Sequence, residues 1–327
     1  EREPNWPMAQ NWNFNIQHEV FKDVLWEVGY YGAKSQYLPA RWDGNYATPG
    51  PGNVNTRRRF KSVVYPGTDV VVSPLTQVDA HNYFGNSLFH SLQTKVEKRF
   101  SGGFSVLGSY TFSRTIGDVS GFSGSRSAAN SDIQDPTNLR AERSLDNQHR
   151  KHRGVLSYIC ELPFGEGRRW GSGWSRLSDS ILGGWALSGI LSANSGEPMG
   201  LSVAGDPANT GSLNRPNVVG DPVLSSDERS LQRWFNTDAF VPNDPYTFGN
   251  AGRNILIGPG AVNLDFAVFK RFIITERVKL QFRFEAFNAT NTPHFGNPNL
   301  QVGNRNLGII SGAGRPRNLQ FGLKLIF

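Results

Sequence analysis

The chain has 327 residues, a formal charge of +7 and a single cysteine, Cys160. That length suits one large all-β unit or two ordinary domains, and one cysteine excludes an internal disulfide framework. No run of about 18 apolar residues occurs, which excludes a membrane-spanning helix.

Aromatic residues make up 12%, yet the mean hydropathy is negative and glycine reaches 36 residues. Many strands joined by polar, turn-rich connections give that combination. Cys160 reads as a small apolar side chain in a strand. The opening EREPNWPMAQNW lacks the basic-then-apolar pattern of a leader, so the chain is either cytosolic or a piece of something longer. The clusters Arg57-Arg58-Arg59-Lys61 and His149-Arg150-Lys151-His152-Arg153 suggest nucleic acid at first sight. Neither falls on a helical face or in a nucleic-acid motif. Solvated loop charge is the favoured reading, anionic lipid head groups come second, and no nucleic-acid partner is expected.

In chain order, Trp12, Phe14, Ile16, His18 and Val20 alternate with Asn11, Asn13, Asn15, Gln17 and Glu19, a period of two over the length a tilted barrel strand needs. A turn at residues 21–23 leads to Val24, Trp26, Val28 and Tyr30, so a hairpin is expected. Residues 35–85 read as irregular loop, with a short strand within 60–65. Leu88, Leu92, Val96 and Phe100 oppose Gln93, Lys95, Glu97 and Arg99. Charges on one strand face are costly in a dry core but ordinary where that face lines a wet lumen. After the tight turn Ser101-Gly102-Gly103, a strand carries Phe104, Val106, Tyr110 and Phe112. Residues 116–150 are loop, then Leu156, Tyr158, Cys160 and Leu162 alternate. A connection of medium length leads to Trp185, Leu187, Gly189, Leu191 and Ala193. The longest loop, 197–260, precedes Val262, Leu264, Phe266 and Val268. A turn near Ile274-Thr275 leads to Leu280, Phe282, Phe284 and Ala286, opposite Lys279, Gln281, Arg283 and Glu285. Residues 291–316 are loop. The final stretch NLQFGLKLIF places Leu319, Phe321, Leu323, Leu325 and Phe327 at every second position.

Connections alternate long and short throughout, as they do in outer-membrane barrels, where periplasmic turns are short and extracellular loops long. The expected fold is therefore an all-β, antiparallel transmembrane β-barrel, with about nine to ten long strands and a periplasmic C-terminus. Nine visible strands is an odd number, so residues 1–327 read as the C-terminal part of a larger barrel.

Several segments recur together and in order in one group of proteins. They are Tyr110-Thr111-Phe112-Ser113-Arg114, Glu161-Leu162-Pro163-Phe164-Gly165, Arg215-Pro216-Asn217, Gly220-Asp221-Pro222 and Trp234-Phe235-Asn236 with Ala239-Phe240. Phe248 to Asn254, Gly258-Pro259-Gly260, Glu276-Arg277-Val278 with Leu280-Gln281-Phe282-Arg283, Phe287-Asn288 and Phe295 to Asn299 complete the set. As a set they resemble the C-terminal β-barrel of Oar-like TonB-dependent outer-membrane receptors over residues 83–327. The resemblance implies energised uptake: a ligand binds loops and plug, and the TonB complex moves the plug. The N-terminal domain, TonB-contacting segment and plug expected of the family are absent from this chain. The alternating side chains and terminal Phe of the last strand themselves resemble the signal read by the barrel-assembly machinery, so Leu319, Phe321, Leu323, Leu325 and Phe327 are the expected assembly tag, while the same side chains meet outer-membrane lipid.

No catalytic constellation emerges, and no cofactor is expected. Asp146, His149 and His152 lack a well-spaced third metal ligand. Asp132, Asp135, Asn138 and Glu142 miss the calcium-loop pattern. GNAGRN lacks the Lys-Ser/Thr of a phosphate loop, and Asn288-Ala289-Thr290 matches a glycosylation acceptor by chance. The alternatives to a transporter are a passive porin or adhesion barrel and, third, a soluble protein binding carbohydrate through Trp42, Trp170 and Trp174. The ligand is not specified by the sequence; a glycan, a peptide or a siderophore fits equally.

Overall fold

A computed structural model describes residues 5–119, 133–275 and 277–327. Nine long strands dominate it: β1 (Met8–Phe21), β2 (Val24–Asp43), β3 (Asp79–Ser101), β4 (Phe104–Gly117), β5 (His152–Glu161), β6 (Trp185–Asn194), β7 (Ala261–Ile273), β8 (Lys279–Phe287) and β9 (Asn318–Ile326). They pair antiparallel, each with its sequence neighbour, in one meandering sheet with β1 and β9 as its edges. Ser144–Leu145 adds a two-residue pairing to β4. Among the described residues no helix is long and apolar enough to cross a membrane.

Register fixes which residues share a face. Ile16 stands opposite Val28, Val28 opposite Thr94, and Thr94 opposite Tyr110. One residue along, Gln17, Glu27, Lys95 and Ser109 are likewise abreast. Because strand side chains alternate, these two rows lie on opposite faces. The first face is apolar from β1 to β9 and solvent-exposed, with Leu92, Phe321 and Leu323 at 51%, 68% and 72%. The second carries Glu27, Gln93, Lys95, Glu97, Gln281, Arg283 and Glu285, with ion pairs Lys95–Glu97 at 2.8 Å and Arg283–Glu285 at 2.9 Å. An uncovered apolar face of this size is untenable in water and natural against lipid.

Aromatic pairs band the apolar face near its loop end. Tyr30 Oη meets His90 Nδ1 at 2.6 Å, and Tyr110 Oη meets His152 Nδ1 at 2.7 Å, with the rings stacked in both pairs. Phe100 lies ten residues from His90 on β3, roughly 25 Å along the normal for a strand tilted ~40°, which matches the apolar band of a barrel wall.

The observed connections keep the expected parity. Residues 22–23, 102–103 and 274–278 are short and 162–184 is intermediate, all at one end; residues 44–78, 118–151, 195–260 and 288–317 are long and at the other. Gly102 and Gly103 have φ of 60° and 82°, the left-handed geometry of a tight hairpin turn. One expectation fails: residues 35–85 are not loop throughout, since β2 continues to Asp43 and β3 begins at Asp79. These extensions are longer than a bilayer needs and carry little apolar alternation, so they gave no strand signal. Bulges at Ser35/Leu38 and Leu38/Pro39, with Tyr37 at φ 56°, break the period further. The strand expected within 60–65 is Val63–Val64, paired with Val71–Val72.

The two faces give a direct test. Leu92→Arg should destabilise the membrane-inserted protein by about 2–4 kcal/mol, whereas Gln93→Arg, one residue away, should cost under about 1 kcal/mol. Denaturant unfolding in lipid vesicles measures both, and equal effects would remove the assignment of faces.

Candidate functional site

The long connections form a layer over one end of the sheet, and the protein's compact core lies in this layer. Met199, Leu201, Phe235, Ala239, Phe240, Leu256 and Val302 are its buried members, with Phe235 edge-on to Phe240 at 5.8 Å. Short pairings tie the layer internally: Pro198–Met199 with Leu256–Ile257, Ser202–Val203 with Gln301–Val302, and Asn217–Val218 with Phe240–Val241. Burying this cluster of side chains offsets part of the entropy of ordering the chain around them.

Side chains bind the four connections to one another. Arg57 Nη2 donates to Asn209 O at 2.7 Å, and Asn209 Nδ2 donates to Gly50 O at 2.9 Å, joining the first to the third. Gln134 Nε2 donates to Gly249 O at 3.0 Å while its Oε1 accepts from Arg215 N at 2.6 Å, joining the second to the third. Glu197 receives both Arg150 at 2.6 Å and Asn297 Nδ2 at 2.5 Å, which brings in the fourth. Gly249 is required where it stands, because a Cβ there would come within 1.9 Å of Arg215 O.

Polar groups are buried here in matched sets. Asn45 is fully enclosed; its Nδ2 reaches the carbonyls of Phe60, Leu75 and Thr76, and its Oδ1 accepts from Phe60 N at 2.6 Å. Arg58 pairs with Asp43 at 2.7 Å and donates to Asn45 O at 2.8 Å. The reading of the basic clusters as solvated loop charge holds for Arg59, Lys61, Lys151 and Arg153, which are exposed, and is corrected for four others. Arg57 and Arg58 brace the first connection, His149 is buried, and Arg150 holds Glu197. Each forms contacts distant in sequence, which local composition does not reveal.

Glu142 and Arg215 form a pair at 2.5 Å, with 1% and 3% side-chain exposure. Burial pushes the Glu142 carboxyl above its usual range, against the pull of Arg215. Burial, then Arg114 and Arg150, pushes the His149 imidazole below its usual value, and Nδ1 accepts from Thr115 N at 3.3 Å. His152 lies instead against Tyr110 on the apolar face, so the candidate trio Asp146, His149 and His152 is not assembled. Of the calcium candidates, Asp132 lies outside the described residues, Asp135 accepts from Thr137 N and Oγ1, and Glu142 is taken by Arg215. Among the described residues no three His, Cys, Asp or Glu side chains gather to hold a metal. Asn288 is a turn residue, at φ 50°, whose Oδ1 accepts from Thr292 N at 2.9 Å.

The aromatics considered for carbohydrate do not converge. Trp42 sits near the loop layer, donating to Asn82 Oδ1 at 2.7 Å, while Trp170 and Trp174 lie at the far end in connection 162–184. Leu319, Phe321, Leu323, Leu325 and Phe327 are all exposed along edge β9 and its end. On the polar face Leu107, Ile159 and Ile190 interrupt the hydrophilic rows; Leu107 and Ile190 both stand opposite Ser157. All three are exposed, a patch that the alternation on these strands did not draw out.

Removing Arg215 strands the Glu142 carboxylate. Arg215→Met should weaken the loop layer by about 3–5 kcal/mol at neutral pH. A carboxyl with a raised folded-state pKa contributes stability below the ordinary carboxylate range and loses it as pH rises through the raised value. The defect should therefore shrink on acidification; hydrogen exchange of residues 133–145 and 199–256 across pH 4 to about 8 reads it, and a pH-independent defect would contradict it.

Residues 1–320 match the family model described as outer membrane beta barrel domain. No curated protein sequence shows significant similarity. Three solved structures are similar to this chain at low identity. FpvA of P. aeruginosa, bound to heterologous pyoverdines, matches at 10% identity and TM-score 0.45 over 96% of this chain and 26% of its own. The outer membrane transporter YddB from Escherichia coli matches at 9% and 0.47, over 99% and 33%. The unliganded ferric citrate transporter FecA matches at 13% and 0.43, over 97% and 31%. The chain thus spans about a quarter to a third of the length of these proteins. With its outward apolar rows, polar inner wall and one-sided long loops, this chain belongs to the outer membrane beta barrel domain family.

Proposed function

We propose that this chain forms the wall and ligand-facing loops of a TonB-dependent receptor of the Oar-like kind, which takes up a ligand across the outer membrane and is not an enzyme. The observation that carries this reading is the loop layer. The third and fourth long connections share one core, and side-chain hydrogen bonds tie all four together above a polar-faced wall. A prefolded surface of that kind loses little entropy on capturing a ligand. The exposed patch of Leu107, Ile159 and Ile190 on the inner wall supports a folded body within the lumen, because a water-filled pore has no use for it. That body is the plug, which with the TonB-contacting segment belongs to another part of the natural protein. On this reading the long loops are extracellular and the C-terminus periplasmic.

Leu319, Phe321, Leu323, Leu325 and Phe327 are the assembly signal in this reading. Phe327, 94% exposed, is available at the end of the edge strand. Phe327→Ala should lower the amount of folded receptor in outer membranes, read as the heat-modifiable band, at unchanged synthesis. An undiminished band would sink the assignment.

Uptake is tested in cells expressing the native gene, using ferric siderophores, oligosaccharides and short peptides as labelled probes. Accumulation of one probe class that needs both this gene and TonB is the expected result. Accumulation that persists without TonB would establish a passive porin instead, and cell adhesion without accumulation of any probe would establish an adhesion barrel.

A further inference from the structure

The connection 162–184 stands apart from the other short-end turns because it is folded. Its first half is a small hairpin, with Gly165 N donating to Trp170 O at 2.8 Å and Trp170 N to Pro163 O at 3.0 Å. Phe164 and Trp170 pack at 5.4 Å. Its second half is helix α1 (Arg176–Leu182), capped by Ser175 Oγ, which accepts from Ser178 N. Asp179 Oδ1 accepts from Glu166 N at 2.6 Å and locks the halves together.

Two contacts decide which face this unit covers. Ile181 O accepts from Trp185 Nε1 at 3.0 Å, and Gly183 O accepts from Lys270 Nζ. Trp185 and Lys270 stand opposite each other in the register, on the apolar face. Lys270 is 1% exposed, its ammonium between the Trp185 and Phe272 rings at 5.3 and 5.2 Å. The unit is therefore clipped to the outward side of the wall, at its short-connection end. On it Leu177, Ile181 and Leu182 are 72%, 57% and 52% exposed, and Trp170 and Trp174 are exposed beside them. Arg169 lies over the Trp170 ring at 5.3 Å, and Arg176 is exposed at the start of α1.

We propose that connection 162–184 is an interfacial anchor: α1 lies in the head-group layer of the leaflet at the short-connection end. Leu177, Ile181 and Leu182 enter the acyl boundary, and Arg169 and Arg176 meet lipid phosphates. The occupant follows from the side of the wall involved. A body in the lumen would meet the polar face, and further strands would pair with the edges β1 and β9. Neither reaches the outward side, whereas the lipid that covers the apolar rows continues onto α1 without a break. Apolar side chains flanked by tryptophan and arginine are the composition of an interfacial segment.

The test uses protein expressed from its native gene and placed in nanodiscs of phosphatidylethanolamine and phosphatidylglycerol. In a Cys160→Ala background, nitroxides at Leu177→Cys and Ile181→Cys are compared with one at Glu166→Cys. The ratio of oxygen to nickel-chelate collisions should be greater at 177 and 181 by about threefold or more. A ratio equal to that at 166 would place α1 in water, and protection from both reagents would place it against protein or a second copy; either overturns the anchor. The unmodified protein supplies a second measurement: a phospholipid carrying a photoreactive group near its head should leave adducts between Leu177 and Leu182. Adducts on the sheet but none on α1 would also overturn it.

Discussion

Hydrocarbon offers no hydrogen-bond partner, so each backbone N–H and C=O of a spanning strand must find its partner in a neighbouring strand. That requirement fixes the register, and the register fixes everything lateral to it. In this sheet Ile16, Val28, Thr94 and Tyr110 fall on one face, and Gln17, Glu27, Lys95 and Ser109 on the other. A slip by one residue would place Lys95 and Glu97 in lipid and Leu92 and Val96 in the lumen. The ion pairs along the inner wall are exposed and contribute little stability individually. Their role is to keep that wall wet.

The same constraint explains why the tightest packing lies outside the sheet. A one-layer wall has lipid on one side and an aqueous or filled lumen on the other, so its own side chains remain half-exposed. The connections have no such limit and behave as a small soluble domain, with an aromatic core around Phe235 and Phe240. Its buried Asp43–Arg58 and Glu142–Arg215 pairs add little net stability over apolar equivalents. They do make wrong arrangements expensive, because any displacement leaves a charge without its partner. A surface that must present one shape to a ligand gains from that specificity.

The spanning strands were legible in the sequence because one face meets lipid. Trp12 to Val20 and Leu280 to Ala286 show the alternation that this contact demands, and the parity of connections placed all long loops at one end. Where β2 and β3 rise beyond the bilayer, at Ala33 to Asp43 and Asp79 to Ser87, neither face needs to be apolar and the signal faded. In the loop layer the buried groups are Asn45, Arg58, Glu142 and Arg215, residue types that composition assigns to solvent. Their partners are far away in sequence, 73 residues in the case of Glu142 and Arg215. Motif order was the usable signal there: Arg215-Pro216-Asn217, Trp234-Phe235-Asn236 and Phe248 to Asn254 all fall within this layer. Arg215, Phe235 and Gly249 of those motifs supply a clamp, part of the core and a close approach.

The edges carry the last step. β1 is exposed along its whole length and β9 nearly so, and each presents an unpaired row of backbone groups. In water such edges invite aggregation; in a bilayer they are untenable, since lipid can satisfy neither donor nor acceptor. On the reading proposed above, further strands running between β9 and β1 close the sheet. The register already meets one condition for this, because the lipid-facing row continues unbroken to Phe321 and Leu323 on β9 and to Phe14 and Ile16 on β1. Closing strands need only carry the same alternation for the apolar band to run around the whole barrel.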